Sequence, residues 1–357
     1  MQASNEVSSD QIGFPEELIL DPKDPLSTAR SFLNWHYVQE SARTLHCYQS
    51  VFYVYNGAYY DLAHSDNVRS RLYKFLEHGK IRKEIRIKND RFEVLDSFKP
   101  NRSSVNDVLD ALKAETHLNA SHVPPCWLQP NGDSTAANEI IVCSNGLLHV
   151  PTRQLHRPTP DFFATHGLPV LFDLKAAKPE RWLHFLSELW ADDQSCIDAL
   201  QEWMGYLLTS DTRQQKILLV VGPKRSGKGT IARVLKALIG EHGYRGPSMA
   251  DLSTRSEFGL STLVGKSVAV IHDARIGKGS RADIAERLLT ISGEDTLNVH
   301  RKNLSDWVGK LTTRFMILTN ELPGIADASG ALAGRYLLLR LTRSFYGKEN
   351  PQLLNRW

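Results

Sequence analysis

Residues 216–230 join a short apolar run to a glycine-rich loop in a pattern that suits phosphate binding. Ile217 to Val221 is continuously aliphatic, as expected of a buried strand in a parallel sheet. Gly222 to Lys228 matches G-x-x-x-x-G-K, and residues 231–239 carry apolar side chains at helical spacing. In such a loop the backbone N–H groups face the phosphates, and the lysine reaches the β and γ oxygens. The pattern predicts a nucleoside triphosphate site formed by Gly222, Pro223, Lys224, Arg225, Ser226, Gly227, Lys228, Gly229 and Thr230.

The hydroxyl that usually binds Mg²⁺ in this kind of loop directly follows the lysine. Here Gly229 occupies that position, and the hydroxyl comes one residue later, at Thr230. Two alternatives remain open at this point. Either Thr230 takes the metal-binding role or Mg²⁺ is held through water.

Two further apolar runs end in polar residues that suit phosphate hydrolysis. Ser267 to Ile271 is followed by His272 and Asp273, and Asp273 is the expected acid for Mg²⁺ on a strand beside the loop strand. Arg314 to Leu318 leads to Asn320, whose amide could orient the attacking water without adding charge. His272 could be a partner of Asp273 or a packing residue. The series predicts the parallel sheet of a P-loop ATPase, although it identifies no residue that activates the water.

Composition limits the class of protein without deciding its partner. The 357 residues are 41% apolar, which is enough for two or three folded units, and no membrane span is present. The four cysteines lack C-x-x-C spacing, so free thiols are expected rather than a zinc site or disulfides. A net charge of +3 is too small to indicate nucleic acid by itself. We expect a cytoplasmic protein.

Local patterns divide the chain into five predicted segments. These are a disordered leader at 1–24, an α+β domain at 25–122, a linker and hairpin module at 123–174, a helical domain at 175–212 and the ATPase domain at 213–357. Within the α+β domain, a helix over Ser104 to Leu118 should open with a capping serine. The basic stretch from Lys80 to Arg91 is either a solvated surface or a phosphate-binding face.

Four short motifs accompany the glycine-rich loop within residues 222–346. They are Ile-Ser-Gly-Glu-Asp at 291–295, His-Arg-Lys at 300–302, Leu-Thr-Asn-Glu-Leu-Pro at 318–323 and Ser-Gly-Ala-Leu-Ala-Gly-Arg at 329–335. Together these motifs resemble those of the superfamily 3 helicases, in particular the primase-helicase proteins of phages and plasmids, a group that includes satellite-phage and poxvirus types. The helical stretch at 175–212 resembles the collar-like domain of that family.

The resemblance implies an AAA+ type ATPase that assembles as a ring, usually a hexamer, with ATP between subunits and single-stranded DNA in the central channel. In that setting Lys228 and Thr230 hold phosphate and metal, Asp273 holds the metal, and Asn320 positions the water. Arg335 resembles the arginine finger that acts on the neighbouring subunit's ATP. Arg301 and Lys302 lie where the family carries a basic hairpin into the channel, in contact with DNA phosphates.

Two departures from the family bear on function. Residues 1–170 contain no convincing acidic and histidine constellation for nucleotidyl transfer, so we predict no primase chemistry. The sequence stops at Trp357, where relatives continue into a further C-terminal segment, and this predicts a truncated product. Two other functions therefore stay open. One is a nucleotide kinase, since Gly-Lys-Gly-Thr also resembles the loop of adenylate kinase-like enzymes, and the other is an ATP- and DNA-binding fragment without helicase activity.

Overall fold

The computed structural model describes residues 18–87, 90–130, 135–191, 193–253, 256–272, 281–322, 330–350 and 353. The chain forms two compact units. One comprises Met1–Tyr55 and Asp61–His122, and the other comprises Asn56–Tyr60 and Val123–Trp357. Within the described ranges, every helix is too short or too polar to cross a lipid bilayer.

The first unit packs three helices around a core rich in Phe and Leu. Helix α1 begins at Pro25, because Pro suits the first helical turn and the Asp24 carboxylate accepts a 2.9 Å hydrogen bond from the Ser27 N–H. Phe32 and Phe75 meet edge to face with centroids 5.3 Å apart, and both are fully buried. The elements of this unit are α1 (Pro25–His36), β1 (Val38–Gln39), β2 (Ala42–Arg43), β3 (Leu45–Tyr48), β4 (Val51–Tyr55), β5 (Tyr60–Ala63, which begins at a residue of the second unit), α2 (Ser65–His78), β6 (Lys80–Ile87), β7 (Asp90–Ser97), α3 (Arg102–Glu115) and β8 (His117–Leu118).

Two predictions for this unit need correction. The predicted disordered leader extends to Asp24, but Ile19 forms a bridge with Lys80 and Leu20 is buried in the core. Leu20 contributes apolar area to the core, which offsets the entropic cost of ordering this short segment; residues 1–17 of the predicted leader lie outside the described ranges. Helix α3 is capped by Asn101, whose side chain accepts from the Ser103 and Ser104 N–H groups, so the cap precedes the predicted serine.

The basic stretch from Lys80 to Arg91 comprises β6 and the start of β7, which form an antiparallel ribbon. Its charges pair across the ribbon, with Lys83 3.4 Å from Asp96 and Arg91 3.3 Å from Glu84. These exposed pairs balance positive charge locally, which favours the solvated-surface interpretation over a phosphate-binding face.

The second unit begins with short strands and a pair of helices that precede a five-stranded sheet. Helices α4 and α5 bury the side chains expected from their periodicity, including Phe185, Leu189, Leu200, Trp203 and Leu207. The elements are β9 (Cys126–Trp127), β10 (Ile140–Cys143), β11 (Gly146–His149), β12 (Gln154–His156), β13 (Phe162–Phe163), α4 (Glu180–Leu189), α5 (Gln194–Leu208), β14 (Ile217–Val221), α6 (Lys228–Gly243), β15 (Tyr244–Arg245), β16 (Val268–His272), α7 (Arg281–Ser292), β17 (Thr296–Val299), β18 (Trp307–Lys310), β19 (Arg314–Thr319), α8 (Ala331–Arg335) and β20 (Tyr336–Arg340).

The five-stranded sheet is parallel throughout, with strand order β15-β16-β19-β14-β20. Successive side chains of β14 point to opposite faces, and each face is covered. Leu218 and Val220 pack with residues of α4, α5 and α6, whereas Ile217 and Leu219 pack with residues of α7. The sequence-based prediction of a mixed α/β protein with a buried parallel sheet is confirmed.

The order of strands corrects one detail of that prediction. The predicted neighbour of β14 is β16, the strand that ends just before Asp273, but β19 lies between them. An apolar run identifies a strand, but it does not specify the order of the strands in the sheet. The neighbour of β14 on this side is therefore β19, the strand that leads to Asn320.

Candidate functional site

The glycine-rich loop connects the carboxyl end of β14 to the first turn of α6, as predicted. A Cβ at Gly222 would lie 2.7 Å from Cβ of Leu341, so only glycine fits between these backbones. Gly227 has φ of +93°, and a Cβ there would also lie 2.9 Å from Cδ2 of Leu189. The loop is therefore shaped by two close approaches that a side chain would prevent.

Lys228 lies over the loop that precedes it. Its ammonium donates to the carbonyl oxygens of Gly222 at 2.6 Å and Pro223 at 2.7 Å, and to Oγ of Ser226 at 3.2 Å. It also donates to Oδ1 of Asn320 at 3.1 Å. Burial lowers the pKa of Lys228. A positive group held among neutral oxygens in a partly desolvated site is poised to exchange them for phosphate oxygens, which bear charge.

Asn320 reaches Lys228 because its strand is the direct neighbour of the loop strand. Val221 is paired in register with Thr319, and the Gly222 N–H donates to the Thr319 carbonyl at 3.1 Å. Thr319 also donates from Oγ1 to the carbonyl of Glu321 at 2.7 Å, which fixes the turn at the strand end. The predicted lysine and amide are thus brought together at one edge of the sheet.

Of the two predicted metal ligands, only Thr230 lies within the described residues. Thr230 lies in the first turn of α6 and is 9% exposed, and its N–H donates to the Gly227 carbonyl at 2.9 Å. A hydroxyl at this place fits the chemistry of Mg²⁺, which prefers oxygen ligands and keeps several waters. Asp273 lies outside the described residues, whereas His272 ends β16 and has a pKa lowered by burial.

The segment that follows β20 also contacts the loop, and sequence reasoning did not find it. Ser344 donates from Oγ to the Lys224 carbonyl at 2.8 Å, and the Phe345 N–H donates to the Arg225 carbonyl at 2.9 Å. Arg225 has φ of +58°, and its side chain lies 3.4 Å from a carboxylate oxygen of Glu349. These contacts bind the loop from its outer side and help to hold Arg225 in a left-handed conformation.

Arg335 lies at the end of the sheet where the parallel strands begin, opposite the end that carries the glycine-rich loop. It directly precedes β20, whose first residue, Tyr336, is paired with Ile217, the first residue of β14. The glycine-rich loop follows the carboxyl end of β14, whereas Arg335 lies beside its amino end. The length of β14, about 13 Å, therefore separates Arg335 from the loop along the strand direction. The Arg335 guanidinium donates from Nη1 to the Ser292 carbonyl at 2.8 Å. The structure therefore does not bring Arg335 together with Lys228 and Asn320.

Arg314, which sequence reasoning missed, anchors the end of α5 and the segment after it to the sheet. Arg314 begins β19 and is 5% exposed. It donates to the carbonyls of Leu207 at 2.7 Å, Thr209 at 2.9 Å and Asp211 at 3.2 Å, and burial lowers its pKa to about 10. Its only sequence signal is a charge at the start of an otherwise apolar strand.

The predicted basic hairpin is confirmed as a hairpin, with Val299 paired with Trp307 at its outer end. Lys302 lies in the connecting segment and is exposed. The Arg301 side chain contacts the same connecting segment, because its Nε donates to the Ser305 carbonyl at 2.9 Å. Lys302 is thus the more accessible of the two candidate DNA-contacting residues.

Comparison with known families identifies two matching segments. Residues 31–191 match a family described as D5 N terminal like, and residues 220–335 match a family of unknown function, DUF5906. The second segment contains the glycine-rich loop, Asn320 and Arg335. No curated protein matches the chain.

Solved structures share the fold at low sequence identity. The apo structure of the NrS-1 C-terminal region (305–718) superposes with a TM-score of 0.54 and 14% identity, covering 94% of this chain and 66% of that one. The A form apo structure of the same region gives 0.51 and 14% identity, covering 93% and 66%. The chain thus spans a little less than two thirds of the structures it matches, and at this identity the likeness concerns the fold.

Proposed function

We propose that the protein is an ATP-dependent DNA helicase of the superfamily 3 type, a P-loop AAA+ ring ATPase that moves on single-stranded DNA during phage or plasmid replication. The observation that carries this proposal is the contact between Lys228 and Asn320 at the glycine-rich loop. It unites a cation for the phosphates with an amide beside the reacting centre, on adjacent parallel strands.

In this proposal the chain's own groups bind and orient the triphosphate. The N–H groups of Lys228 and Gly229, the first two residues of α6, precede the helix's own hydrogen bonds, so they can bind phosphate oxygens. Lys228 exchanges the carbonyls of Gly222 and Pro223 for the β and γ oxygens, and Asn320, released from Lys228, orients a water for attack. Mg²⁺, when bound near Thr230 and Asp273, would neutralise the charge that develops on the phosphates.

Arg335 would complete the site of a neighbouring subunit. Arg335 precedes β20, at the end of the strands opposite the loop, and this position supports action on the ATP of a neighbouring subunit rather than on that of its own subunit. An arginine supplied in this way typically raises turnover by about 10³ to 10⁵ fold. A single subunit should therefore hydrolyse ATP very slowly, and we expect activity from a ring, a hexamer as in the family that the motifs resemble.

The exposed Lys302 supports contact with a nucleic-acid backbone. A hairpin with a cation at its tip can follow phosphates without reading bases, which suits movement along single-stranded DNA. The match of residues 31–191 to the D5 N terminal-like family and the shared fold with the NrS-1 C-terminal region support a role in replication of the phage primase-helicase kind.

The test is ATP hydrolysis with and without single-stranded DNA, for the wild type, Lys228→Ala and Arg335→Ala. We expect DNA-stimulated turnover that each substitution lowers by at least a hundredfold. Mixing the two variants should restore part of it, because one kind of interface then combines an intact Lys228 with an intact Arg335. Hydrolysis that is insensitive to Arg335, or phosphoryl transfer to a nucleoside monophosphate, would contradict the proposal and favour a nucleotide kinase.

A further inference from the structure

The carboxyl end of α7 is closed by an unusual residue. Glu294 has φ of +66°, its N–H donates to the Ile291 carbonyl, and the next N–H, that of Asp295, donates to the Thr290 carbonyl, both at 3.2 Å. This pair of bonds is the Schellman arrangement, in which the left-handed position usually holds glycine. A glutamate there is strained, so some other interaction must favour it.

The Glu294 side chain makes such interactions with the segment between α5 and β14. Thr212 donates from Oγ1 to Oε1 of Glu294 at 2.5 Å. Gln215 donates from Nε2 to the Gly293 carbonyl at 3.4 Å and lies 3.5 Å from Oε2 of Glu294. Gln215 is itself left-handed, with φ of +53°. Two strained non-glycine residues thus face each other in one hydrogen-bonded cluster, and such clusters are typical of functional sites.

Arg335 lies on the other side of the same turn. Its Nη1 binds the Ser292 carbonyl at 2.8 Å, and its Nη2 lies 3.6 Å from where a Cβ on Gly293 would be. The last carbonyls of a helix lack partners within the helix and carry partial negative charge, so they attract a guanidinium. Lys216, next to Gln215, donates to the Gly334 carbonyl at 2.7 Å and so holds the residue before Arg335.

From these contacts we propose that Glu294 and Gln215 are positioning residues for Arg335. They fix the end of α7 against the segment between α5 and β14, and this fixed end in turn fixes the guanidinium that would act on the neighbouring subunit. The motif at 291–295 then has a role distinct from nucleotide or DNA contact. This inference rests on the function proposed above. It assigns the cluster to the subunit that supplies Arg335 to the ATP site between two subunits, not to the subunit that binds the ATP.

The test is the subunit-mixing assay with Glu294→Gly, which removes the carboxylate and suits the left-handed backbone. We expect kcat for DNA-stimulated hydrolysis to fall at least tenfold with KM for ATP within twofold, while the melting temperature stays the same or rises. Mixing with Lys228→Ala should restore turnover, because that subunit supplies a well-positioned Arg335. Mixing with Arg335→Ala should not, because both subunits then lack a working arginine.

Two further variants keep the test decisive. Glu40→Gly makes the same change at another left-handed glutamate, exposed in the turn between β1 and β2 of the first unit, and should not change kcat. Thr212→Val removes the hydroxyl donor and leaves the backbone of Glu294 unchanged, so it should give the same mixing pattern even if Glu294→Gly folds poorly.

Two outcomes would overturn the inference, and a third would overturn the proposed function on which it rests. Unchanged turnover in both Glu294→Gly and Thr212→Val would show that the cluster does not serve Arg335. Restoration by Arg335→Ala rather than by Lys228→Ala would place the cluster on the nucleotide-binding side. A wild type without hydrolysis would instead overturn the proposed function, and that result is distinguishable because Lys228→Ala and Arg335→Ala would then have no activity to lose.

Discussion

Lys228 and Asn320, which are 92 residues apart in the chain, are joined by a hydrogen bond of 3.1 Å between Nζ and Oδ1. The bond exists because β14 and β19 are direct neighbours in a parallel sheet, with their carboxyl ends at the same edge. In the proposed function, phosphate oxygens replace this contact between the ammonium and the amide.

Asn320→Asp and Asn320→Ala should have different effects on ATP. A carboxylate about 3 Å from Lys228 would pair with the ammonium and repel the triphosphate, so we expect the aspartate variant to weaken ATP binding at least tenfold. The alanine variant should bind ATP normally but hydrolyse it about a hundredfold more slowly, because in the proposed function the Asn320 amide orients the water. Binding of a fluorescent nucleotide and steady-state turnover measure the two effects, and equal affinity in both variants would contradict the expectation.

Gly227→Ala should destabilise the second unit. The left-handed φ of +93° costs a non-glycine residue about 1 to 2 kcal/mol, and the added methyl would press on Leu189 and Phe185. Gly229→Ala is the matched control, since a Cβ there meets nothing within 4 Å and alanine favours a helix. We expect denaturant unfolding to show a loss of stability at Gly227 only, and equal stabilities would exclude this account of the loop.

Lys302→Ala should weaken binding to single-stranded oligonucleotides and make it less dependent on salt. Each phosphate interaction that the substitution removes should reduce the slope of log K against log salt by about 0.7. Lys310→Ala removes the same charge at the base of the hairpin, at the far end of β18 from Lys302, and should have the smaller effect. Fluorescence anisotropy at several salt concentrations tests both variants, and identical slopes would show that Lys302 does not contact DNA phosphates.

His166 should make folding stability depend on pH between about 6.5 and 4. Burial, together with the charges of Arg314 and Lys266, lowers the pKa of His166 to about 4, and Nε2 lies 2.9 Å from Oγ of Ser267. The unfolded chain therefore takes up this proton first as the pH falls, so stability is full above 6.5 and is lost on acidification. One such histidine contributes a slope of about 1.4 kcal/mol per pH unit.

Urea titrations across this range should show a smaller slope for His166→Gln than for the wild type. His184→Gln, at a side chain 76% exposed, is the control and should keep the wild-type slope. His46 in the first unit has a similarly lowered pKa, to about 4, so part of the dependence should persist in every variant. A slope unaffected by His166→Gln would show that this histidine is not held neutral.

The sequence predicts local structure well where one short segment carries the whole signal. Strand, loop and helix around Gly222 to Lys228 lie in a single stretch, and the apolar spacing of α4 and α5 reflects a single buried face. What could not be predicted depends on contacts between distant segments. The strand between β14 and β16, the burial of Leu20 and the position of Arg335 at the end of α7 all follow from tertiary packing.

The same dependence on tertiary contacts explains why sequence reasoning missed Arg314 and the role of Glu294. In the sequence, Arg314 is one charged residue at the start of an apolar strand. Its hydrogen bonds to three backbone carbonyls are visible only in the structure. Glu294 belongs to a recognised motif, but its left-handed backbone is visible only in three dimensions. Neither composition nor periodicity predicts a positive φ at a glutamate.

The parallel pairing of β20 with β14 has a consequence for assembly. Arg335 and the glycine-rich loop lie at opposite ends of the strands of one sheet, so in the proposed assembly a subunit would give its arginine from one surface and receive its neighbour's arginine at another. Such contacts would be heterologous, and they would favour a head-to-tail arrangement over an isologous pair related by a two-fold axis. Repeated around a closed rotation they produce a ring, and without closure they produce an open helical filament.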